Sequence, residues 1–128
     1  MHEKRIEIRR RDLDAYRHVN NAVYSTYLEE CRDEWLEAAL GTAEDETYDF
    51  VIARLQIDFR RELRLEDDAV VVRCGLAKLG RSSVTTHEEI RVGDELAVEA
   101  EAVLVARDPE TKRPRPLLDA ERRALERS

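Results

Sequence analysis

Within Asp12-Leu13-Asp14-Ala15-Tyr16-Arg17-His18-Val19-Asn20-Asn21, two carboxylates, an imidazole and two side-chain amides fall in one short stretch. Helical spacing of apolar residues begins immediately afterwards, which sets this cluster at a helix N-terminus. That end of a helix has unpaired backbone N–H groups and a partial positive charge. A carboxylate that acts as base or nucleophile, beside donors that hold an oxyanion, is the minimum equipment for acyl transfer. The same residue types favour turns and N-caps whatever the function, so a plain loop-to-helix junction is the competing reading.

The elements around this stretch must position it. Lys4 to Arg11 alternates, with Ile6 and Ile8 on one face, and reads as a half-buried strand. Asn21 is the expected N-cap of a helix over roughly Ala22–Leu40. On that helix Tyr24, Tyr27, Leu28, Cys31, Trp35, Ala38 and Ala39 form one stripe, and Glu29, Glu30, Asp33, Glu34 and Glu37 take the other side. Gly41 suits the C′ position. After a polar loop at 42–48, Val51, Ala53, Leu55, Ile57 and Phe59 mark the apolar face of a long strand. Val70, Val72, Cys74 and Leu76 mark a third strand. Turn candidates at Gly80-Arg81 and Gly93-Asp94 lead into strands over Ser82–Val92 and Glu95–Ala106. A tail begins at about 107, turns at Asp108-Pro109 and ends in a short polar helix from about Asp119.

No repeat or second domain is evident, and 1–128 reads as one domain of ordinary size. The order is strand, long helix, then four antiparallel strands in a meander. An apolar sheet face must be covered, and only the helix is large enough to do it. The expected fold class is therefore α+β: a curved antiparallel sheet of about five strands wrapped around one long central helix. Val71, Leu79, Val103 and Val105 are expected on the face away from the helix, which favours a homo-oligomer.

Formal charge is −7 and the pI about 5.1, which argues against nucleic acid and anionic membrane as partners. Lys4, Lys78 and Lys112 are the only lysines, so phosphate binding would fall to arginine and its planar fork. Cys31 and Cys74 have neither metal-ligand spacing nor a disulfide framework, and no metal is expected. Two free thiols, no apolar run of ~20 residues and no signal-like N-terminus point to the cytoplasm.

Asp-Leu-Asp-Ala-Tyr-Arg-His-Val-Asn-Asn-Ala-Val-Tyr, followed by Tyr27-Leu28-Glu29-Glu30-Cys31-Arg32, resembles the signature of hotdog-fold acyl-CoA thioesterases. The closest group is that of 4-hydroxybenzoyl-CoA thioesterase and its relatives, over about residues 5–106. The resemblance implies the hotdog fold, hydrolysis of a fatty or aromatic acyl-CoA, and no cofactor, coenzyme A being part of the substrate. It implies that Asp14 is the catalytic carboxylate, as general base or nucleophile, and that the Asn21 backbone N–H helps form the oxyanion hole. His18 lies where plant acyl-carrier-protein thioesterases carry a catalytic histidine, although Tyr16 stands where those enzymes have asparagine. Bacterial short-chain acyl-CoA thioesterases carry a histidine at the position of Asn21, and the benzoyl-type enzymes at neither place. Arg17 replaces a common glycine.

Coenzyme A in such relatives is held between subunits, partly by the turn after the third strand. Gly80, Arg81 and Ser82 are the corresponding substrate-binding candidates, in a homodimer or homotetramer. Tyr24, on the helix, and Arg60 are further substrate-side candidates. Arg60, Arg61 and Arg64 form a basic cluster suited either to the nucleotide or to docking an acidic carrier protein. The alternatives are therefore an acyl-carrier-protein thioesterase and a non-catalytic acyl-CoA-binding module. A hotdog dehydratase would favour Asp-x-Asn-Pro-x-His, and no Asn-Pro occurs.

Overall fold

The computed structural model describes residues 1–41 and 49–128, so the loop expected at 42–48 lies outside the described residues. The elements are β1 (His2–Glu7), α1 (Asn21–Leu40), β2 (Phe50–Phe59), β3 (Ala69–Leu79), β4 (Ser83–Val92), β5 (Glu95–Ala106) and α2 (Asp119–Arg127). Two short 3-10 turns, Arg10–Asp12 and Leu65–Asp67, complete the order.

The helix forms where the apolar stripe required it. Tyr24, Tyr27, Leu28, Cys31 and Trp35 are all buried. Its N-cap is Asn20 rather than Asn21: the Asn20 side chain accepts the Ala22 N–H at 2.9 Å, and Asn21 is the first helical residue. Gly41 closes the helix at φ 99°, a conformation that costs a residue without Cβ little. The short polar helix expected from about Asp119 forms as α2, so the fold has two helices and the description by one long central helix is incomplete. Helix α2 packs on α1, burying Leu125 completely, and Trp35 Nε1 donates to Ser128 Oγ at 3.1 Å.

All five strands pair antiparallel in one sheet, in the order β1-β3-β4-β5-β2. Only β3, β4 and β5 form the expected meander. Strand β2 crosses over to the outer side of β5, and β1 pairs with β3. Helix α1 lies over β3, β1 and β4.

Two register shifts overturn the expected face assignments, because one extra residue moves every later side chain to the other face. In β2 the shift lies between Ile52 and Arg54, so Ile52 pairs with Leu104 and Leu55 with Ala102. Phe50 and Ile52 thus share the helix-facing side with Leu55, Ile57 and Phe59, and Val51 does not. In β3 the shift lies between Leu76 and Lys78. It pairs Leu79 with buried Val84 and turns Leu79 toward the core, not away from the helix. Beyond the helix, the helix-facing side of β2 stays open, with Ile52 46% and Phe59 50% exposed.

Candidate active site

The Asp14 loop is a tight excursion that the rest of the chain pins at its base. Leu13 and Val19 pair as an antiparallel bridge, and Asn20 N–H donates to Asp12 O at 2.9 Å. Between them the Asp14 and His18 backbones bond at 2.8 Å, and Arg17 N–H donates to Asp14 O at 3.1 Å. This turn needs a left-handed residue, and Arg17 takes φ 66°. Arg17 therefore adopts the conformation that glycine enters without steric cost.

Asp12 is the anchor. It is 3% exposed and accepts from Tyr27 Oη at 2.6 Å, from Arg9 N–H at 3.0 Å and from the Arg9 guanidinium at 3.2 Å. Burial pushes its carboxyl up, but the hydrogen bonds from Tyr27 and Arg9 outweigh that and hold it below the ordinary carboxylate range. The same contact, after burial, pushes the Tyr27 hydroxyl up. Asp12 is thus a structural carboxylate, fixed to the helix that follows the loop.

Asp14 is half-buried and differently held. Its Oδ1 accepts the N–H groups of Tyr16 at 2.8 Å and His18 at 3.2 Å. Its Oδ2 makes no hydrogen bond with the described residues, which leaves one carboxylate oxygen oriented and available. His18 Nε2 lies 3.3 Å from Glu62 Oε2, and the His18 backbone bridges to Arg64. The Asn21 N–H has no acceptor among the described residues, as the first N–H of a helix should not.

The other candidates fall in three different places. Tyr24 is 2% exposed, its hydroxyl accepts Leu63 N–H at 2.9 Å, and its ring stands edge-on to Phe59 at 5.1 Å. It braces the wall of the site from behind. Arg60 projects from the opposite sheet face and donates to Glu99 at 3.2 Å. Arg61 is held by Asp67 at 2.8 Å and Glu95 at 2.8 Å. Only Arg64 of that basic cluster stands beside His18.

Gly80, Arg81 and Ser82 lie at the far end of the sheet. Strand β3 starts beside Asp68, whose carbonyl accepts the Ile8 N–H, and runs away from the loop for 11 residues, about 36 Å at ~3.3 Å per residue. The turn closes with Gly80 N–H to Ser83 O at 2.8 Å, and the tail docks on it through Leu117 N–H to Arg81 O at 2.9 Å. The Arg81 side chain is exposed and has no partner among the described residues. Within one chain it cannot meet Asp14.

Sequence reasoning missed Glu62 as a partner of His18 and Arg9 and Tyr27 as partners of Asp12. The one available signal for the former was Leu63, a lone apolar residue between charged neighbours, which proves fully buried and carries Glu62 and Arg64 to the loop. Among the described residues no group of three or more His, Cys, Asp or Glu is arranged to hold a metal ion.

The model of the thioesterase-like superfamily matches residues 8–125. The chain belongs to that superfamily. As a member it is a thioester hydrolase, and the resemblance to hotdog thioesterases holds across the fold. The long-chain acyl-CoA thioesterase FadM of Escherichia coli is 32% identical over 106 residues, covering 80% of this chain and 78% of FadM. A Thermus thermophilus thioesterase solved with coenzyme A and zinc matches with TM-score 0.89 and 34% identity, over 98% of this chain and 92% of that one. A predicted thioesterase from Bacillus stearothermophilus matches with TM-score 0.91 and 25% identity, over 98% and 94%. No helix among the described residues of this thioesterase is long and apolar enough to cross a membrane.

Proposed function

We propose that this chain hydrolyses an acyl-CoA thioester, with Asp14 as the reacting carboxylate and the N-terminus of α1 as the oxyanion site. The observation that carries the reading is the half-used carboxylate: Oδ1 of Asp14 is fixed by two backbone N–H groups while Oδ2 is left free. Oδ2 either takes a proton from a water that attacks the carbonyl carbon, or attacks that carbon itself to form a mixed anhydride. Either way the carbonyl oxygen becomes an oxyanion, for which the unpaired Asn21 N–H is the nearest-placed donor in the sequence. In the first route collapse breaks the C–S bond and the carboxylate returns its proton to the departing thiolate, leaving the free acid; in the second the thiolate leaves with a proton from water, and a second water then hydrolyses the anhydride, releasing the acid and regenerating Asp14. His18, near Glu62, assists by orienting water or the carbonyl.

Arg60 and Arg61 are paired with Glu99, Asp67 and Glu95, which leaves Arg81 as the better-placed cation for the phosphates of coenzyme A. The placement of Arg81 beyond the far end of β3 from the loop supports a homodimer or homotetramer in which the partner's turn meets the nucleotide. The open helix-facing side of β2 supports the same reading. Cys31 and Cys74 are buried free thiols, with the Cys31 thiol pushed up to about 12, chiefly by burial. Inert thiols of this kind suit a cytoplasmic enzyme.

The test is thiol release from a panel of acyl-CoAs by wild type and Asp14→Asn. The substitution keeps an oxygen for the Tyr16 and His18 N–H groups but removes basicity and nucleophilicity, so kcat should fall by at least ~10²–10⁴-fold. His18→Ala should lower it less. Near-wild-type turnover by a folded Asp14→Asn protein would rule the assignment out.

A further inference from the structure

The turn between β3 and β4 is one-sided in its hydrogen bonding. Gly80 N–H donates to Ser83 O at 2.8 Å, and Ala106 N–H donates to Ser82 O at 2.8 Å. The C-terminal tail takes the other two carbonyls. Leu117 N–H donates to Arg81 O at 2.9 Å, and Arg122 Nη2 donates to Gly80 O at 2.6 Å. Every carbonyl from Gly80 to Ser83 is therefore occupied, while the Arg81 and Ser82 N–H groups donate to nothing among the described residues. Each residue of a turn carries one donor and one acceptor, and here the donors alone are left over. Successive free N–H groups in a turn make a concavity that suits an anion.

The tail brings a charge to the turn as well as a donor. Arg107 and Arg115 are neutralised, by Asp49 at 3.2 Å and by Glu121 at 2.8 Å. Arg122 forms no ion pair among the described residues and gives its hydrogen bond to Gly80 O, a neutral acceptor. Its positive charge therefore stays at the turn, one residue from the exposed Arg81.

Packing fixes where the tail stands. Leu117 is 6% exposed and Leu125 is fully buried, and the ring of Pro116 restricts the backbone just before Leu117. Glu121 accepts Leu118 N–H at 2.8 Å and closes the first turn of α2. Arg122 N–H donates to Leu118 O at 3.0 Å, so Arg122 projects from a formed helix that is anchored on both sides of it. The half-buried Arg122 guanidinium is thus carried to the turn by the fold of the tail.

We propose that Arg122 is a positioning residue for the nucleotide end of acyl-CoA: it holds the Gly80 carbonyl, as Leu117 N–H holds that of Arg81, so that the turn meets phosphate with N–H groups and two guanidinium charges. The inference rests on the reading above that this turn meets the nucleotide, and it adds the C-terminal tail to the binding site. Without Arg122 the Gly80 carbonyl is released to oppose the phosphate oxygens, acceptor against acceptor, and one cation is lost. Pantetheine carries no phosphate and is indifferent to both changes.

The experiment measures KM and kcat for one acyl group carried on coenzyme A and on pantetheine, which lacks the nucleotide. In wild type the coenzyme A ester should have the lower KM. Arg122→Met keeps much of the side chain's length but removes its charge and donors. It should raise KM for the coenzyme A ester by about 10-fold, the scale of one hydrogen bond to a charged group, without raising KM for the pantetheine ester. Arg122→Lys, which keeps the charge and a donor, should recover most of that loss. A purely structural role would lower Tm or weaken both esters alike, so an unchanged ratio of the two KM values in Arg122→Met overturns the proposal. Calorimetry with coenzyme A and with pantetheine makes the test independent of hydrolysis. A preference for coenzyme A that Arg122→Met abolishes supports the proposal even in a protein that cleaves no acyl-CoA. Equal affinity of wild type for the two ligands overturns it and leaves the Asp14 assignment untouched.

Discussion

Removing the Tyr27 hydroxyl isolates the contact that ties the Asp14 loop to the helix. Tyr27→Phe keeps the ring, which is fully buried, and deletes only the 2.6 Å hydrogen bond to Asp12 Oδ2. The acceptor is a carboxylate with 4% side-chain exposure, so water does not readily replace the lost donor. Hydrogen bonds to charged groups contribute ~1.5–3 kcal/mol. The Arg9 N–H at 3.0 Å and guanidinium at 3.2 Å remain, which favours the middle of that range, about 2 kcal/mol. For a chain of this length that is a fall in Tm of roughly 6–10 °C. The effect must depend on pH with a definite sign. Asp12 is held below its ordinary value in the folded protein, so its contribution is complete above the unfolded-state pKa of ~3.9 and is lost as pH falls through the lower folded value. The difference between wild type and Tyr27→Phe should therefore be full at pH 7 and shrink on acidification. Urea denaturation of both proteins at pH 7 and near pH 3 measures this directly. Equal stability at pH 7, or a difference that does not change with pH, would refute the account of Asp12 as the loop's anchor.

Arg17→Gly should leave stability within about 1 kcal/mol of wild type, since relief of the left-handed strain is offset by glycine's extra unfolded-state freedom. Arg17→Val, β-branched at φ 66°, should lose more than ~1 kcal/mol, and both are read by chemical denaturation. Mixing Asp14→Asn chains with Arg81→Glu chains should restore part of the acyl-CoA hydrolysis that each lacks alone, because a mixed dimer assembles one site with both residues intact. A fully active monomer by sedimentation would contradict the shared site.

The local elements were legible because each is set by residues close in sequence. The stripe from Tyr24 to Trp35 and Gly41 bounded α1. Gly93 and Asp94 set the start of β5, and Asp14 to Asn21 stood ahead of a helix whatever the rest of the chain did. The competition between Asp12 and Asp14 was also partly readable, since the signature resembles one that reserves catalysis for the second aspartate. That Asp12 is locked by Tyr27 was not readable, because a side-chain hydrogen bond across fifteen residues leaves no periodic trace.

What the sequence determined by itself was therefore the kind of each element, the polarity of its faces over short runs, and the position of the Asp12–Asn21 cluster at a helix N-terminus. Tertiary structure alone decided which strands are neighbours. Alternation says which face a strand buries but nothing about its partner, and β2 found β5 rather than β3. It alone set the register shifts at Ile52 and Leu76, since a period of two carries no mark of where it slips. It alone joined Arg32 to Glu88 across 56 residues, because a buried charge is stable only with its counter-charge already in place, and that pairing exists only once helix and sheet have closed on each other.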